Sequence, residues 1–233
     1  MKVLVIIPAY NEEKNIESVI KQLQKDAPFA DHLIINDCST DNTAMICNRN
    51  HFNYISLPIN LGIGGGIQAG YKYGVAAGYD AIVQFDGDGQ HNASYIAELV
   101  KPLENKEADM VTGSRFIEKE GFQTSSSRRI GIVILNIAIR VVAGVKVTDA
   151  TSGFRAVNRE LAEFFCEHYA QDYPEPEAIV EASLAGFKTV EAPVVMNERT
   201  AGVSSINLLR SGYYMIKVLL AIFIHRIGRR KRR

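Results

Sequence analysis

The chain begins with Val3-Leu-Val-Ile-Ile7, an unbroken apolar run. It passes directly into Pro8-Ala-Tyr-Asn-Glu-Glu13 and then into a segment where Ile16, Val19, Ile20 and Leu23 recur at i, i+3, i+4 and i+7. A run without polar alternation is a strand covered on both faces, and the recurrence that follows is an amphipathic helix. The same unit then repeats. Apolar runs at Leu33–Ile35, Tyr54–Leu57 and Ala81–Phe85 are separated by helical stretches around 41–50 and 66–77. This alternation predicts an α/β protein whose mainly parallel sheet is flanked by helices. Beyond 105 the pattern loosens. A short strand near Met110–Thr112, helices near 127–144, 159–168 and 177–185, and a strand Thr189–Val195 are the readable elements.

In open sheets of this kind ligands bind beyond the carboxyl ends of the strands. The segments there are Pro8–Glu13, Asn36–Thr43, Pro58–Gly66 and Asp86–His91, all rich in Asp, Asn, Glu or Gly. The last contains Asp86-Gly-Asp88-Gly-Gln90 directly after an apolar run. Alternate residues of an extended segment point the same way, so Asp86, Asp88 and Gln90 can turn three oxygens onto one hard cation, Mg²⁺ or Mn²⁺. Such an ion keeps positions for substrate phosphate oxygens and offsets charge on a departing diphosphate. The competing reading is a Gly-Asp turn with solvated acids.

Gly64-X-Gly66-X-X-Ala69 has the outline of a dinucleotide-binding fingerprint, but Pro58-Ile-Asn-Leu-Gly62 separates it from the preceding strand. Glycines that let a helix start pack closely fit that context better. The histidines show no metal-ligand spacing, and neither a Gly-X-Ser-X-Gly elbow nor a Walker loop is present. Hydrolase and P-loop kinase readings thereby lose their signals. Arginines gather beside Gly/Ser loops in the second half: Arg115, Arg128, Arg129, Arg155 and Arg199. Guanidinium groups fork onto phosphate oxygens, so this placement suits phosphorylated substrates, while surface solvation explains any one of them alone.

The 233 residues are 47 % hydrophobic and 22 % charged, with 26 Lys+Arg against 26 Asp+Glu, which is the profile of a folded globular protein. The charge is unevenly spread. Six cations lie in the last eight residues, leaving 20 cations against 26 acids before them. Cations parked at one end argue against a nucleic-acid-wrapping surface and suit an anionic membrane surface. Three cysteines without a Cys-X-X-Cys pair, and a start lacking a secretory signal, point to a reducing cytoplasmic setting. No apolar segment reaches 18 residues, so a membrane-spanning helix is not expected.

Taken in order, Pro8-Ala-Tyr-Asn-Glu-Glu13, Asn36-Asp-Cys-Ser-Thr-Asp-Asn-Thr43, Asn60-Leu-Gly62, Asp86-Gly-Asp-Gly-Gln90, Gly113-Ser-Arg115, Asp149-Ala-Thr-Ser-Gly-Phe-Arg155 and Glu198-Arg-Thr-Ala-Gly-Val-Ser-Ser205 resemble the inverting family 2 glycosyltransferases of GT-A fold. More narrowly they resemble the polyprenyl-phosphate branch, the dolichyl-phosphate mannose synthase relatives. Asp172-Tyr-Pro-Glu-Pro-Glu177 and the Arg-X-X-Gly-X-Ser-Ser ending are similar to short bacterial enzymes that load glucose or N-acetylglucosamine onto undecaprenyl phosphate.

The resemblance implies that Pro8, Tyr10, Glu12 and Asp37 contact the nucleoside of a UDP-sugar. By the same resemblance Asp86, Gly87, Asp88 and Gln90 hold the metal and the diphosphate, and Arg115 and Arg199 reach phosphates or the sugar. Arg128, Arg129 and Arg155 are the implied candidates for the acceptor phosphate. Asp149 is implied either as a base or as the partner of an arginine, with Glu175 and Glu177 as further base candidates if the acceptor is a sugar hydroxyl. Two departures stand out: Ser205 where many relatives carry Lys, and Asn36 before Asp37 where relatives often have two acids. A lipid phosphate is already anionic, so attack on the anomeric carbon needs no general base. A saccharide acceptor, a GDP-mannose donor and a non-catalytic nucleotide-sugar-binding subunit are the alternatives.

Access to a lipid is the further requirement. Ile130–Val142 is apolar nearly all round, which means either a buried helix or an interfacial one. Residues 206–233, set apart from a catalytic domain at 1–205, read as an amphipathic helix with a basic tail. That tail adds about 1 kcal/mol per cation on an anionic leaflet. A helical dimer interface is the competing reading. The expectation is a peripheral protein on the cytoplasmic face of the cell membrane, with room for a small membrane protein partner.

Overall fold

The computed structural model describes residues 1–118, 120, 121, 126–197, 215–224 and 226, with backbone alone at 126–128. The first half alternates as β1 (Val3–Ala9), α1 (Ile16–Asp26), β2 (Asp31–Asn36), α2 (Thr43–Arg49), β3 (Tyr54–Ser56), α3 (Gly62–Ala76) and β4 (Ala81–Gln84). The second half continues with α4 (Ile96–Glu104), β5 (Met110–Ser114), α5 (Ser126–Ala143), β6 (Arg155–Asn158), α6 (Arg159–Glu167), α7 (Pro174–Ala185) and β7 (Thr189–Pro193). Residues 215–224 form a further helical stretch.

The strands make one sheet in the order β3-β2-β1-β4-β6-β5-β7. Every described pairing is parallel except those of β6, which runs antiparallel to both β4 and β5. The unbroken hydrophobicity of β1 has the cause expected of it: both faces are covered. Val3, Val5, Ile7 and Ala9 enter a core with α1 and α4, while Leu4 and Ile6 enter a second core with α3, α5, α6 and α7.

Several elements depart from the sequence reading. Helix α3 starts at Gly62 rather than near 66, because its glycines permit close approaches that side chains would block. A Cβ on Gly64 would stand 2.2 Å from the Ala170 carbonyl oxygen, and one on Gly74 would stand 2.4 Å from Ile82 Cδ1. This is the packing role that the sequence context favours over a dinucleotide fingerprint. Helix α4 and strand β6 are absent from the sequence reading. Helix α4 carries Pro102 inside it, and β6 is four residues long with Arg and Asn at its ends. Helix α7 begins three residues before its expected start, with Pro174 in the first turn, where a missing N–H costs nothing.

The 215–224 helix buries Val218 and Ile222 in the same core as Leu135, Ile139 and Val142 of α5. Arg226 closes the contact by donating to the Val141 and Val142 carbonyls at 2.5 and 2.7 Å. Among the described residues no helix is long and apolar enough to cross a membrane.

Candidate active site

The loops after β1 and β2 are knitted into one shelf by their own polar side chains. The Asp37 N–H donates to the Ala9 carbonyl at 2.9 Å. The buried Asp37 carboxylate accepts from the Leu61 N–H at 2.7 Å, which ties in the loop before α3. Asn11, held at φ 59°, accepts from the Thr40 N–H at 2.8 Å. The Glu12 N–H donates to Thr43 Oγ1 at 2.9 Å, and Glu12 Oε2 accepts from Asn15 at 2.8 Å. Tyr10 remains 49 % exposed, presenting an aromatic face to solvent. Asn36, one of the two departures, is buried and donates to Ser56 Oγ at 2.9 Å, so it joins β2 to β3.

The Asp86–Gln90 loop leaves the end of β4 beside this shelf. A Cβ on Gly87 would lie 3.1 Å from the Pro8 carbonyl oxygen and 3.5 Å from Glu12 Cγ, so only glycine lets the two loops meet this closely. Asp88 is buried and its Oδ1 accepts from the Gln90 N–H at 3.0 Å, while the Gln90 carbonyl accepts from the Asn197 N–H at 2.8 Å. Asp86 is held by His91, whose Nδ1 accepts the Asp86 N–H at 3.0 Å and whose Nε2 lies 3.4 Å from Asp86 Oδ2. The imidazole stacks on Phe154 at 4.8 Å and meets Phe85 edge-on. Burial holds the His91 pKa below its ordinary value against the opposing pull of Asp86 and Asp88. Arg115 and Asp149 act on the same imidazole. The Asp86–Gln90 loop and the Arg115–Asp149 pair therefore share the electrostatic environment of one imidazole.

Two carboxylates and an amide at one strand end are hard oxygen donors of the kind Mg²⁺ and Mn²⁺ take. Among the described residues no group of three or more His, Cys, Asp or Glu side chains is placed to hold a metal. Asp86, Asp88 and Gln90 are the residues of this loop whose oxygens could take a divalent ion.

On the other side Arg115 Nε and Nη2 donate to Asp149 Oδ2 and Oδ1 at 2.7 and 2.8 Å, and Nη2 also reaches Thr151 Oγ1 at 3.1 Å. Asp149 itself is placed by Glu191, a residue that the sequence alone does not single out. The Glu191 carboxylate accepts from the Thr148 and Asp149 N–H groups at 2.7 to 2.9 Å and from Thr148 Oγ1 at 2.9 Å. Burial still pushes the Glu191 carboxyl above its ordinary pKa, because those hydrogen bonds offset only part of it. Asn136 of α5 spans the same turn, donating to the Thr148 carbonyl at 2.9 Å and accepting from the Ala150 N–H at 3.2 Å.

Arg129 lies over the Phe116 ring at 3.5 Å, and Arg115 is 5.2 Å from the same ring. Two of the expected cations thus lie about one aromatic ring. Arg155 is elsewhere: it is fully buried and donates to the Ser152 and Glu175 carbonyls at 2.7 and 3.2 Å. It does not face a surface on which an acceptor phosphate could rest. Arg199, Ser205 and the side chain of Arg128 lie outside the described residues. His91, Gly153 and Phe116 lie among these residues and are not singled out by the sequence alone, although His91 and Phe116 directly follow Gln90 and Arg115 and Gly153 sits within Asp149–Arg155.

A polar shelf beside an Asp-X-Asp loop, at the carboxyl ends of a mainly parallel sheet with one antiparallel strand, is the architecture of the GT-A class of glycosyltransferases. The chain belongs to glycosyl transferase family 2, whose profile matches residues 4–165. It is 31 % identical over 212 residues to a UDP-N-acetylglucosamine–dolichyl-phosphate N-acetylglucosaminyltransferase of Methanococcus voltae, covering 82 % of this chain and 84 % of that one. It is 28 % identical over 217 residues to a polyprenol monophosphomannose synthase of Mycolicibacterium smegmatis, covering 88 % and 81 %. The fold also matches glucosyl-3-phosphoglycerate synthase of Mycobacterium tuberculosis in complex with Mn²⁺, UDP and glucosyl-3-phosphoglycerate. That TM-score is 0.71 at 21 % identity, over 97 % of this chain and 80 % of the other.

Proposed function

We propose that this glycosyltransferase moves a hexose, glucose or N-acetylglucosamine, from a UDP-sugar to a polyprenyl phosphate such as undecaprenyl phosphate, with inversion at the anomeric carbon. The observation that carries the reading is the pair of guanidinium groups about the Phe116 ring, Arg115 at 5.2 Å and Arg129 at 3.5 Å. Two guanidinium groups on one ring form a cationic seat for an anionic acceptor, and the relatives named for dolichyl-phosphate and polyprenol transfer support a lipid phosphate in it. A phosphate nucleophile carries its own charge, so the residues need only orient it and the sugar. Asp149 fits that economy: both of its oxygens are engaged by Arg115.

On this reading Tyr10, Glu12 and Asp37 take the nucleoside, and Asp86, Asp88 and Gln90 hold Mg²⁺ or Mn²⁺, the ion bound in the Mycobacterium tuberculosis complex being Mn²⁺. When bound, the metal neutralises charge on the leaving diphosphate. Membrane association is supported by exposed apolar side chains on two helices. Ile130, Ile134, Ile137 and Val141 of α5, and Ile216, Leu220 and Ile224 of the adjoining helix, are exposed. The opposite sides of both helices are packed in the core, so α5 combines the burial and the interfacial exposure that the sequence offers as alternatives. With the basic terminus this makes a peripheral protein of an anionic, cytoplasmic leaflet.

Purified protein incubated with Mn²⁺ or Mg²⁺, undecaprenyl phosphate in detergent and labelled UDP- and GDP-sugars tests the proposal. Metal-dependent entry of label from one UDP-hexose into the organic phase is expected. Transfer from GDP-mannose alone overturns the donor assignment, and transfer to free saccharides but not to lipid overturns the acceptor.

A further inference from the structure

Arg155 occupies an unusual place for a guanidinium. It stands on β6 directly opposite Gln84 of β4 and is fully buried. Opposed residues of an antiparallel pair carry side chains on the same face, here the one covered by Tyr71 and Tyr169, and Tyr169 donates to Gln84 Oε1 at 3.4 Å. Burying a guanidinium is costly even with the buried Glu175 carboxyl acting on it, and an apolar residue of similar volume would avoid the cost. Packing alone does not account for it.

Its two attachments explain its position. Nη2 donates to the Ser152 carbonyl at 2.7 Å, and Nη1 donates to the Glu175 carbonyl in the first turn of α7 at 3.2 Å. Nε is buried with no hydrogen-bond partner among the described residues, so the two Nη groups carry the attachment. Gly153 follows Ser152, and its α-carbon is pressed against the metal loop. A Cβ there would lie 3.0 and 3.2 Å from the two Asp86 carboxylate oxygens and 3.1 Å from Gln84 Nε2. Arg155 thus fixes the backbone on which the Asp86 carboxylate rests. His91 holds Asp86 from the opposite end of the loop, through Nδ1 at 3.0 Å.

We infer that Arg155 is a positioning residue for the metal-binding carboxylate: by clamping Ser152 and the start of α7 it holds Gly153 beneath Asp86 and sets the ligand geometry for the divalent ion and the diphosphate. This rests on the metal reading of Asp86 and Asp88 above, and it replaces direct contact of Arg155 with the acceptor.

The test compares the full-length wild type with Arg155→Met and Arg155→Lys. Mn²⁺ affinity in the presence of UDP is followed by the electron paramagnetic resonance signal of free Mn²⁺, and the KM for undecaprenyl phosphate is measured at saturating metal. Arg155→Met is expected to weaken Mn²⁺ binding about tenfold or more, as loss of an outer partner of a metal ligand does, with acceptor KM unchanged. Arg155→Lys should recover part of the affinity. If Arg155→Met does not fold, Arg155→Lys, which keeps the buried charge without the fork, serves as the deciding variant, with Mn²⁺ affinity below wild type expected. Unchanged Mn²⁺ affinity with a raised acceptor KM shows direct acceptor contact and overturns the inference, as does a lowered Tm with unchanged affinity. Wild-type protein that binds no Mn²⁺ with UDP overturns the metal reading and this inference together, whereas wild-type binding abolished by Asp88→Asn and kept in both Arg155 variants overturns this inference alone.

Discussion

Arg115 and Asp149 meet fork to fork, with Nε 2.7 Å from Oδ2 and Nη2 2.8 Å from Oδ1. The carboxylate is fully buried and the guanidinium side chain keeps only 14 % of its surface exposed, so the aspartate orients a cation that is itself largely shielded from water. An aspartate engaged on both oxygens serves as a holder of charge rather than as a proton acceptor. Asp149→Ala should therefore cost stability, by about 3 kcal/mol, because it strands a largely desolvated cation. Turnover should fall with it. Urea denaturation of wild type, Asp149→Ala and Asp149→Asn measures the first effect, and loss of less than a tenth of that figure in the alanine variant would show the pair to be incidental.

Asp88→Asn removes a ligand charge without changing shape. The Gln90 N–H that donates to Asp88 Oδ1 at 3.0 Å can still bond to an amide oxygen, so the loop should stand. Metal-dependent transfer should be abolished with Tm unchanged. Retained turnover in the variant excludes Asp88 as a ligand.

Gly153→Ala places a methyl group 3.0 Å from Asp86 Oδ2. The carboxylate must move, so Mn²⁺ affinity should drop about tenfold while the protein stays folded. Calorimetric titration with UDP present reads this, and wild-type affinity in the variant would show that Asp86 has room to spare.

Cys47 is fully buried on α2, and burial raises its thiol pKa to about 11. The thiolate is the reactive form, so at pH 8 only roughly a thousandth of the thiol is ionised. Because the shift is upward, labelling of Cys47 should be slowest at neutral pH and quicken as pH climbs toward 11, with Cys38 modified first. Mass spectrometry after timed iodoacetamide treatment gives the order, and early modification of Cys47 would contradict its burial.

Ile134→Glu and Ile137→Glu place charges on exposed positions of α5. Both should leave stability within about 0.5 kcal/mol of wild type, as surface substitutions do, yet reduce sedimentation with phosphatidylglycerol vesicles. Vesicle binding equal to wild type would move the membrane contact to another face.

Most of the first half is legible in the sequence because its signals are local. Strand β1 is a continuous apolar run buried on both sides, and the polar loop expected after it follows its end directly in the chain. What escapes depends on distance. Glu191 lies 42 residues from the Asp149 N–H it accepts, and nothing near either residue marks the pairing. Strand β6 is hidden by its own composition, since Arg155 and Asn158 at its ends read as a loop although the first is fully buried. The expectation of an acceptor contact for Arg155 fails for the same reason: an arginine beside Ser and Gly reads as exposed until its strand neighbours are known. The glycines of α3 are readable in kind but not in extent, because only the Gly64 contact with residue 170 fixes where that helix begins.

The antiparallel β6, lying between β4 and β5, governs the order in which the chain is built. The strands β3, β2, β1 and β4 are all complete once residue 84 has emerged from a ribosome, and they can pair at once. Strand β5 ends at Ser114 but has no neighbour to join until β6 at 155–158 arrives to separate it from β4. During synthesis β4 therefore presents a bare edge for some 70 residues of elongation, an interval of seconds at ordinary rates of translation. Bare edges recruit other strands, so the nascent first half is the stage at which this protein is exposed to mispairing and most open to a chaperone.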